Sequence, residues 1–157
     1  MSQVLFICTG NYYRSRYAEI IFNHTANDYG LGWTSFSRGF QESTREAPIS
    51  PNALTRLRSR NIFTNQFRYP IKLSPTDLAL AQRIILMDEQ EHKPMLESQF
   101  AEWSDYVEYW NIQDVEFEAP ASALDRLESK VDLLISSLEM ESNQVLWGNN
   151  RLKIQFG

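Results

Sequence analysis

The chain has 157 residues, of which 43% are hydrophobic, and a formal net charge of −5. This length and hydrophobic content suffice for one domain with a full core. The acidic balance excludes an extended basic surface for nucleic acid, and no apolar run approaches the about 18 residues of a membrane span. The single cysteine excludes an internal disulfide, and the N-terminal residues lack the pattern of a secretory leader. We therefore expect a cytoplasmic protein that binds neither nucleic acid nor membrane.

Short apolar runs alternate with longer segments of helical period, a pattern typical of strands and helices around a parallel sheet. Strands are predicted over residues 4–7, 33–37, 83–87 and 106–110. Helices are predicted from Ser15, after the Ser-Pro pairs at Ser50 and Ser74, over residues 89–96, and over residues 123–138. We expect a single-domain α/β fold with helices on both faces of the sheet.

The last residues of the chain carry a different pattern. Two apolar runs, residues 145–147 and 152–156, flank Gly148-Asn149-Asn150 and predict a β-hairpin. We therefore assign residues 1–140 to the main domain and residues 141–157 to a C-terminal extension.

The most informative segment is Cys8-Thr9-Gly10-Asn11-Tyr12-Tyr13-Arg14-Ser15, between the first strand and the first helix. A tight loop at a helix N-terminus presents backbone N–H groups to an anion, and Gly10 and Asn11 tolerate the positive φ that such a loop requires. The same amides and the cationic Arg14 favour a thiolate at Cys8, and the planar guanidinium matches two phosphate oxygens. The segment predicts a phosphate-binding loop over residues 9–15 with Cys8 as the nucleophile. Ser15 is predicted to cap the helix, to donate to the thiolate, or to do both.

A phosphatase also needs an acid that protonates the leaving oxygen. Asp114 follows the fourth predicted strand, at the same sheet edge as Cys8, and is the preferred candidate. Asp88, which follows the third strand, is the rival. His24 and His92 fall in helical stretches and are interpreted as surface or packing residues.

Three aromatic residues near these segments, Tyr12, Phe40 and Phe117, are predicted to form the rim of the cleft. At the rim they would stack on an aromatic substrate, and ordinary packing is the alternative.

The loop of residues 8–15, Ser37-Arg38-Gly39, Met87-Asp88-Glu89 and Asp114 occur in an order that resembles the low-molecular-weight protein tyrosine phosphatases. The similarity runs from residue 4 to about residue 138. It implies a four-stranded parallel sheet in the order 2-1-3-4, a phosphocysteine intermediate on Cys8, and Asp114 as the general acid. It also implies that Asn11, Ser15 and Ser37 brace the phosphate loop, with no metal or cofactor.

Four positions depart from the pattern of that family. Tyr13 stands where many members carry a second cysteine, and Arg16 replaces the usual proline after Arg-Ser. Arg68 stands where a histidine often joins the bracing network, and Val115 replaces the proline after the acid.

We expect a phosphatase that acts on phosphotyrosine in proteins or on small aryl phosphates, with inorganic phosphate or another oxyanion as a ligand of the loop. A catalytically silent phosphotyrosine- or oxyanion-binding module is the main alternative. An arsenate reductase would require an external thiol because the chain has one cysteine. A phosphocysteine carrier in a sugar-transport relay is the third alternative, against which Arg14 argues.

Overall fold

The computed structural model describes the backbone of residues 1–63 and 68–156, and the side chains of residues 1–63 and 68–144. The elements in chain order are β1 (Ser2–Cys8), α1 (Arg14–Asp28), β2 (Trp33–Gly39), α2 (Pro51–Ser59), α3 (Pro75–Leu80), β3 (Arg83–Leu86), α4 (Glu89–Gln99), a 3-10 helix (Ala101–Tyr106), β4 (Glu108–Tyr109) and α5 (Pro120–Phe156).

The four strands form one parallel sheet in the order β2-β1-β3-β4, as predicted. Strand β1 lies in the middle, where Cys8 pairs with Gly39 of β2 and Ile7 pairs with Leu86 of β3. Because parallel strands place their carboxyl ends at one edge, the residues that follow all four strands meet around Cys8.

Helices cover both faces of the sheet, since side chains of β1 alternate between two cores. Val4 and Phe6 face the core formed with α1, α2 and α5, whereas Leu5 and Ile7 face the core formed with α3 and α4. All four of these side chains are fully buried. This double burial explains why β1 reads as a continuous apolar run in the sequence.

Two helix starts confirm the Ser-Pro signals. Ser50 accepts a hydrogen bond from the backbone N–H of Asn52, at 3.2 Å. Ser74 and Asp77 form a reciprocal capping box at the start of α3.

Helix α5 continues through the expected boundary at residue 140 and ends at Phe156, so the predicted hairpin was wrong. No proline follows Pro120, and extending a formed helix costs less than starting a new element, so the Gly-Asn-Asn turn signal does not prevail. The division of the chain at residue 140 stays a prediction. In the described parts of the chain, α5 included, no helix is both long and apolar enough to cross a membrane.

The end of β2 approaches the phosphate loop closely. A Cβ added to Gly39 would lie 2.8 Å from the carbonyl oxygen of Thr9 and 2.9 Å from the backbone nitrogen of Asn11. A glycine at this position therefore lets the loop rest against the sheet edge.

We predict that Gly39→Ala lowers the free energy of unfolding by about 1–3 kcal/mol, the usual cost of overpacking. Gly32→Ala is the matched control, because a Cβ there meets no atom within 4 Å. Urea unfolding of both variants provides the measurement. Equal stabilities of the two variants would contradict this account of Gly39.

Candidate active site

Three backbone carbonyls at the end of β1 and in the loop after it are hydrogen bonded to residues outside the loop. They accept hydrogen bonds from the segment that follows β2: Cys8 from Phe40 N (3.0 Å), Thr9 from Gln41 N (3.0 Å), and Tyr12 from Ser50 N (2.9 Å). With these carbonyls engaged outside, loop amides and the first N–H groups of α1 are left to face an anion. The predicted phosphate-loop geometry is therefore present in the fold.

Asn11 holds the middle of this loop. Its backbone has a positive φ of 51°, and its side chain is fully buried. Asn11 Nδ2 donates to Ser15 Oγ at 2.8 Å and to Ser37 Oγ at 2.9 Å. Asn11 Oδ1 accepts from Arg68 Nη1 at 3.0 Å and from the backbone N–H of Ile71 at 3.1 Å. One side chain thus ties the loop to α1, to β2 and to the segment before α3.

A charged pair completes the network beneath the loop. Arg68 Nη2 lies 3.0 Å from Glu19 Oε1 and donates to Ser37 Oγ at 3.0 Å. Ser37 in turn donates to Glu19 Oε1 at 2.8 Å. The sequence marked Arg68 only as a departure and gave no signal for Glu19, which lies inside a helix among apolar residues.

The Cys8 sulfur lies 3.0 Å from Ser15 Oγ and is buried. Because Ser15 Oγ already accepts from Asn11 Nδ2, its hydroxyl hydrogen is free to point at the sulfur. A donated hydrogen bond stabilises a thiolate. Helix α1 begins at Arg14 and its N-cap is Tyr13, so Ser15 is not the N-cap that the sequence allowed.

Arg14, at the start of α1, contacts α4 and the segment that follows β4. Arg14 Nη1 donates to the carbonyl oxygen of Ile112 at 2.9 Å, and Nη2 donates to Glu91 Oε2 at 2.7 Å. Burial alone would lower the pKa of Arg14, but the negative charges of Cys8, Glu91 and Asp114 raise it overall. The guanidinium therefore stays charged and held by the protein before any ligand arrives.

Glu91 and His92 belong to the site, and the sequence interpretation missed both. Thr9 Oγ1 donates to Glu91 Oε2 at 2.5 Å, and His92 Nε2 lies 2.9 Å from the same oxygen. Burial alone would raise the pKa of Glu91, but the hydrogen bonds from His92, Arg14 and Thr9 hold that pKa well below its usual range. His92, interpreted as a surface or packing residue, is fully buried and stacks on Phe40, and it also forms hydrogen bonds beneath the loop.

The two candidate acids have different surroundings. Asp114 lines the cavity above Cys8, with Oδ2 3.7 Å from Arg14 Nη2 and Oδ1 accepting from the backbone N–H of Val115 at 2.8 Å. Asp88 is buried and caps α4, where its Oδ2 accepts from the backbone N–H of Glu91 at 3.1 Å. Of the two, only Asp114 lies in the cavity that contains the thiol.

This cavity has a volume of about 430 Å³ and opens beside Cys8 and Arg14. Tyr12 lies on its wall, as expected, and the guanidinium of Arg45 sits 4.9 Å from the centre of the Tyr12 ring. Of the other two predicted rim residues, Phe40 was wrong, whereas Phe117 stays a prediction. Phe40 is 1% exposed and stacks on His92, because β2 carries its side chain into the core. Phe117 is 73% exposed but lies outside the cavity lining, to which its loop contributes Val115.

The comparisons with known proteins agree with this geometry. The profile of the family described as "Low molecular weight phosphotyrosine protein phosphatase" matches residues 3–149. The chain belongs to this family. Among curated proteins, it is 26% identical over 130 residues to a protein-arginine-phosphatase of Bacillus subtilis, covering 83% of each chain.

Solved structures of the same family share the fold. The low molecular weight protein tyrosine phosphatase from T. tengcongensis has a TM-score of 0.76 and 26% identity, over 87% of this chain and 99% of that one. The YwlE arginine phosphatase from Geobacillus stearothermophilus has a TM-score of 0.75 and 23% identity, over 92% and 97%. This chain is therefore a phosphatase of the low-molecular-weight family, with relatives that are named for tyrosine and for arginine.

Two departures from the family pattern are buried in this phosphatase. The buried Arg16 donates through Nη1 to the carbonyl oxygens of Pro48, at 2.8 Å, and Arg68, at 3.0 Å. Burial, together with the charge of Arg68, lowers the pKa of Arg16 to about 10. Tyr13 is buried, which raises the pKa of its phenol to about 12, and its hydroxyl has no partner among the described residues. Arg16 thus anchors the segment that forms the cavity wall.

We predict that Asn11→Gly keeps the positive φ but lowers the free energy of unfolding by about 2–4 kcal/mol, because four hydrogen bonds are lost. It should also weaken vanadate binding, since the loop loses its brace. Asn61→Gly is the matched control, because Asn61 is exposed and has a φ of 57°. Chemical denaturation and vanadate inhibition check both variants, and an Asn11→Gly protein as stable as the control would contradict the bracing role.

Proposed function

We propose that this enzyme hydrolyses aryl phosphate monoesters, above all phosphotyrosine in proteins, through a phosphocysteine intermediate on Cys8. The observation that supports this most directly is the Cys8 sulfur at 3.0 Å from Ser15 Oγ, at the base of a loop whose carbonyls are engaged outside. A thiolate in that position faces an anion-binding loop from below. We propose a cytoplasmic location, because a reduced thiol is required.

In the first step the Cys8 thiolate attacks phosphorus in line with the leaving oxygen. Loop amides and Arg14 hold the three equatorial oxygens, over which the charge of the transferring phosphoryl group is spread. Asp114 gives its proton to the leaving oxygen. The P–O bond breaks as the P–S bond forms, and the alcohol or phenol departs.

In the second step the ionised Asp114 takes a proton from a water molecule, which attacks the phosphocysteine. The P–S bond breaks, Cys8 leaves as a thiolate, and inorganic phosphate is released. Asp114 is protonated again and the cycle is complete.

The cavity wall supports an aromatic substrate. Tyr12 lines the same cavity as Cys8, so the ring of a phenyl phosphate that reaches the sulfur can contact the Tyr12 side chain.

A second candidate substrate is phosphoarginine, which the name of the Bacillus subtilis relative suggests. The contact of Arg45 with Tyr12 favours it, because it shows that this ring face accepts a guanidinium. Glu42 also lines the cavity and offers a carboxylate to a cationic group.

The experiment that separates these candidates measures kcat/KM for one peptide carrying phosphotyrosine, phosphoarginine or phosphoserine at the same position, with a chelator present. We expect phosphotyrosine to be preferred. A preference for phosphoarginine would establish the second candidate in its place. Vanadate binding without turnover of any peptide would indicate the silent binding module.

We predict that Cys8→Ser lowers kcat by more than about 10³-fold, because the serine hydroxyl is a weak nucleophile without an adjacent base. Binding of inorganic phosphate should not weaken, since the amides and Arg14 remain in place. Steady-state kinetics and equilibrium binding provide the two readouts. Turnover within a few-fold of the parent enzyme would contradict the nucleophile assignment.

We predict that Asp114→Asn lowers kcat/KM by about 10²–10⁴-fold for a substrate with a poor leaving group, the usual span for general acid catalysis. The loss should be much smaller for a good leaving group, which departs without protonation. Asp88→Asn is the control, because Asp88 caps α4. If only the Asp88 variant shows this dependence, Asp88 is the acid.

A further inference from the structure

One nitrogen of Arg14 lies between two carboxylates. Arg14 Nη2 is 2.7 Å from Glu91 Oε2 and 3.7 Å from Asp114 Oδ2. The single positive charge of Arg14 can balance the negative charge of only one of these two carboxylates. How the two acids differ decides which of them stays ionised.

The surroundings of the two carboxylates are unequal. The Glu91 side chain is 23% exposed, and Thr9, Arg14 and His92 all contact its Oε2 within 3 Å. The Asp114 side chain is 41% exposed and accepts one hydrogen bond, from the backbone N–H of Val115, among the described residues. Converging donors stabilise an ionised carboxylate, so Glu91 is the better counterion.

His92 is oriented to support this arrangement. His92 Nδ1 accepts a hydrogen bond from the backbone N–H of Asp88 at 3.0 Å, so the proton of the neutral ring is on Nε2. That proton then points at Thr9 Oγ1, 3.1 Å away, and the Thr9 hydroxyl in turn donates to Glu91 Oε2. A neutral, fully buried imidazole thus fixes the Thr9 hydroxyl as a donor to the Glu91 carboxylate.

We propose that Glu91 is a positioning residue that serves as the permanent counterion of Arg14, so that Asp114 remains free to carry the proton for the leaving group. This inference rests on the proposed role of Asp114 as the acid. The charged groups that face Arg14 are Cys8 at the end of β1, Glu91 on α4 and Asp114 in the loop between β4 and α5. Without the charge of Glu91, Asp114 is the one carboxylate in this set, and it would then be the ionised counterion of Arg14.

The same contact arranges the phosphate-binding edge of Arg14. Glu91 and the carbonyl oxygen of Ile112 each take a hydrogen from a different terminal nitrogen. Arg14 Nε has no acceptor among the described residues, and Arg14 lines the cavity. The edge that carries Nε–H is therefore available for two phosphate oxygens.

The test uses Glu91→Gln, which keeps an accepting oxygen at the same reach and removes the charge. We expect kcat/KM for phenyl phosphate, a poor leaving group, to fall about tenfold, a partial loss of general acid catalysis. For 2,4-dinitrophenyl phosphate we expect a change within about twofold. Vanadate inhibition should not weaken, because Arg14 is still present and a nearby negative charge is gone.

Two further variants separate charge from shape. Glu91→Asp keeps the charge at a shorter reach and should retain more activity towards phenyl phosphate than Glu91→Gln. It also keeps the test available if the Gln variant does not fold. Glu89→Gln is the matched control, because Glu89 lies in the same first turn of α4 with its side chain 57% exposed, and it should leave both substrates unchanged.

Uniform losses for both substrates with weakened vanadate inhibition would overturn the inference, because Glu91 would then only support the loop. Better activity in the Gln variant than in the Asp variant would also overturn it. The double variant Glu91→Gln with Asp114→Asn should be no slower than Asp114→Asn alone, since both changes remove the same proton. If Asp114→Asn itself lacks leaving-group dependence, the proposed acid is wrong, and this result is distinguishable from a failure of Glu91→Gln alone.

Discussion

The active site depends on the buried side chain of Asn11, held in a left-handed backbone conformation. Its amide has two donors and one acceptor oxygen, and all are used to join α1, β2 and the segment before α3. A side-chain amide is suited to this task because it donates and accepts at once, and asparagine tolerates a positive φ. The loop amides can face an anion because this residue fixes the turn between Cys8 and Arg14.

Two charged side chains near the loop are buried, and each is paired with a partly exposed residue of opposite charge. Arg14 lies against Glu91, and Arg68 lies against Glu19. Burial of an unpaired charge is costly, and a buried pair contributes more to a unique geometry than to net stability. The two pairs therefore help to fix the shape of the loop. In this chain the pair at Arg68 stands where a histidine often occurs in the family.

The sequence predicted the parts of the site that depend on chain order. An apolar strand, a short loop and a helix place Cys8 and Arg14 by local chemistry, and Asp114 follows a strand that ends at the same edge. The sheet order came from the family resemblance. The polar partners could not be predicted, because Glu19 and Glu91 are helix residues whose inward orientation depends on how α1 and α4 pack.

Two further errors have physical causes. Phe40 follows β2 by one residue, and the alternation of the strand turns its side chain into the core, away from the cavity. After residue 140 a turn signal predicts a hairpin, but the helix that precedes it continues instead, because extending a formed helix costs little. In the first case the packing of the side chain against the core decided its position, and in the second the extension of the helix outweighed the local turn propensity.

The account depends on covalent chemistry at Cys8 within a preformed loop. The most direct test is to acid-quench the enzyme during turnover of an aryl phosphate in the presence of a chelator and to locate any phosphoryl group by peptide mass spectrometry. We predict one phosphoryl group on the peptide that contains Cys8, absent when vanadate is added first. Sustained turnover with a phosphoryl group on another residue, or with none on any residue under conditions that slow its hydrolysis, would contradict the account.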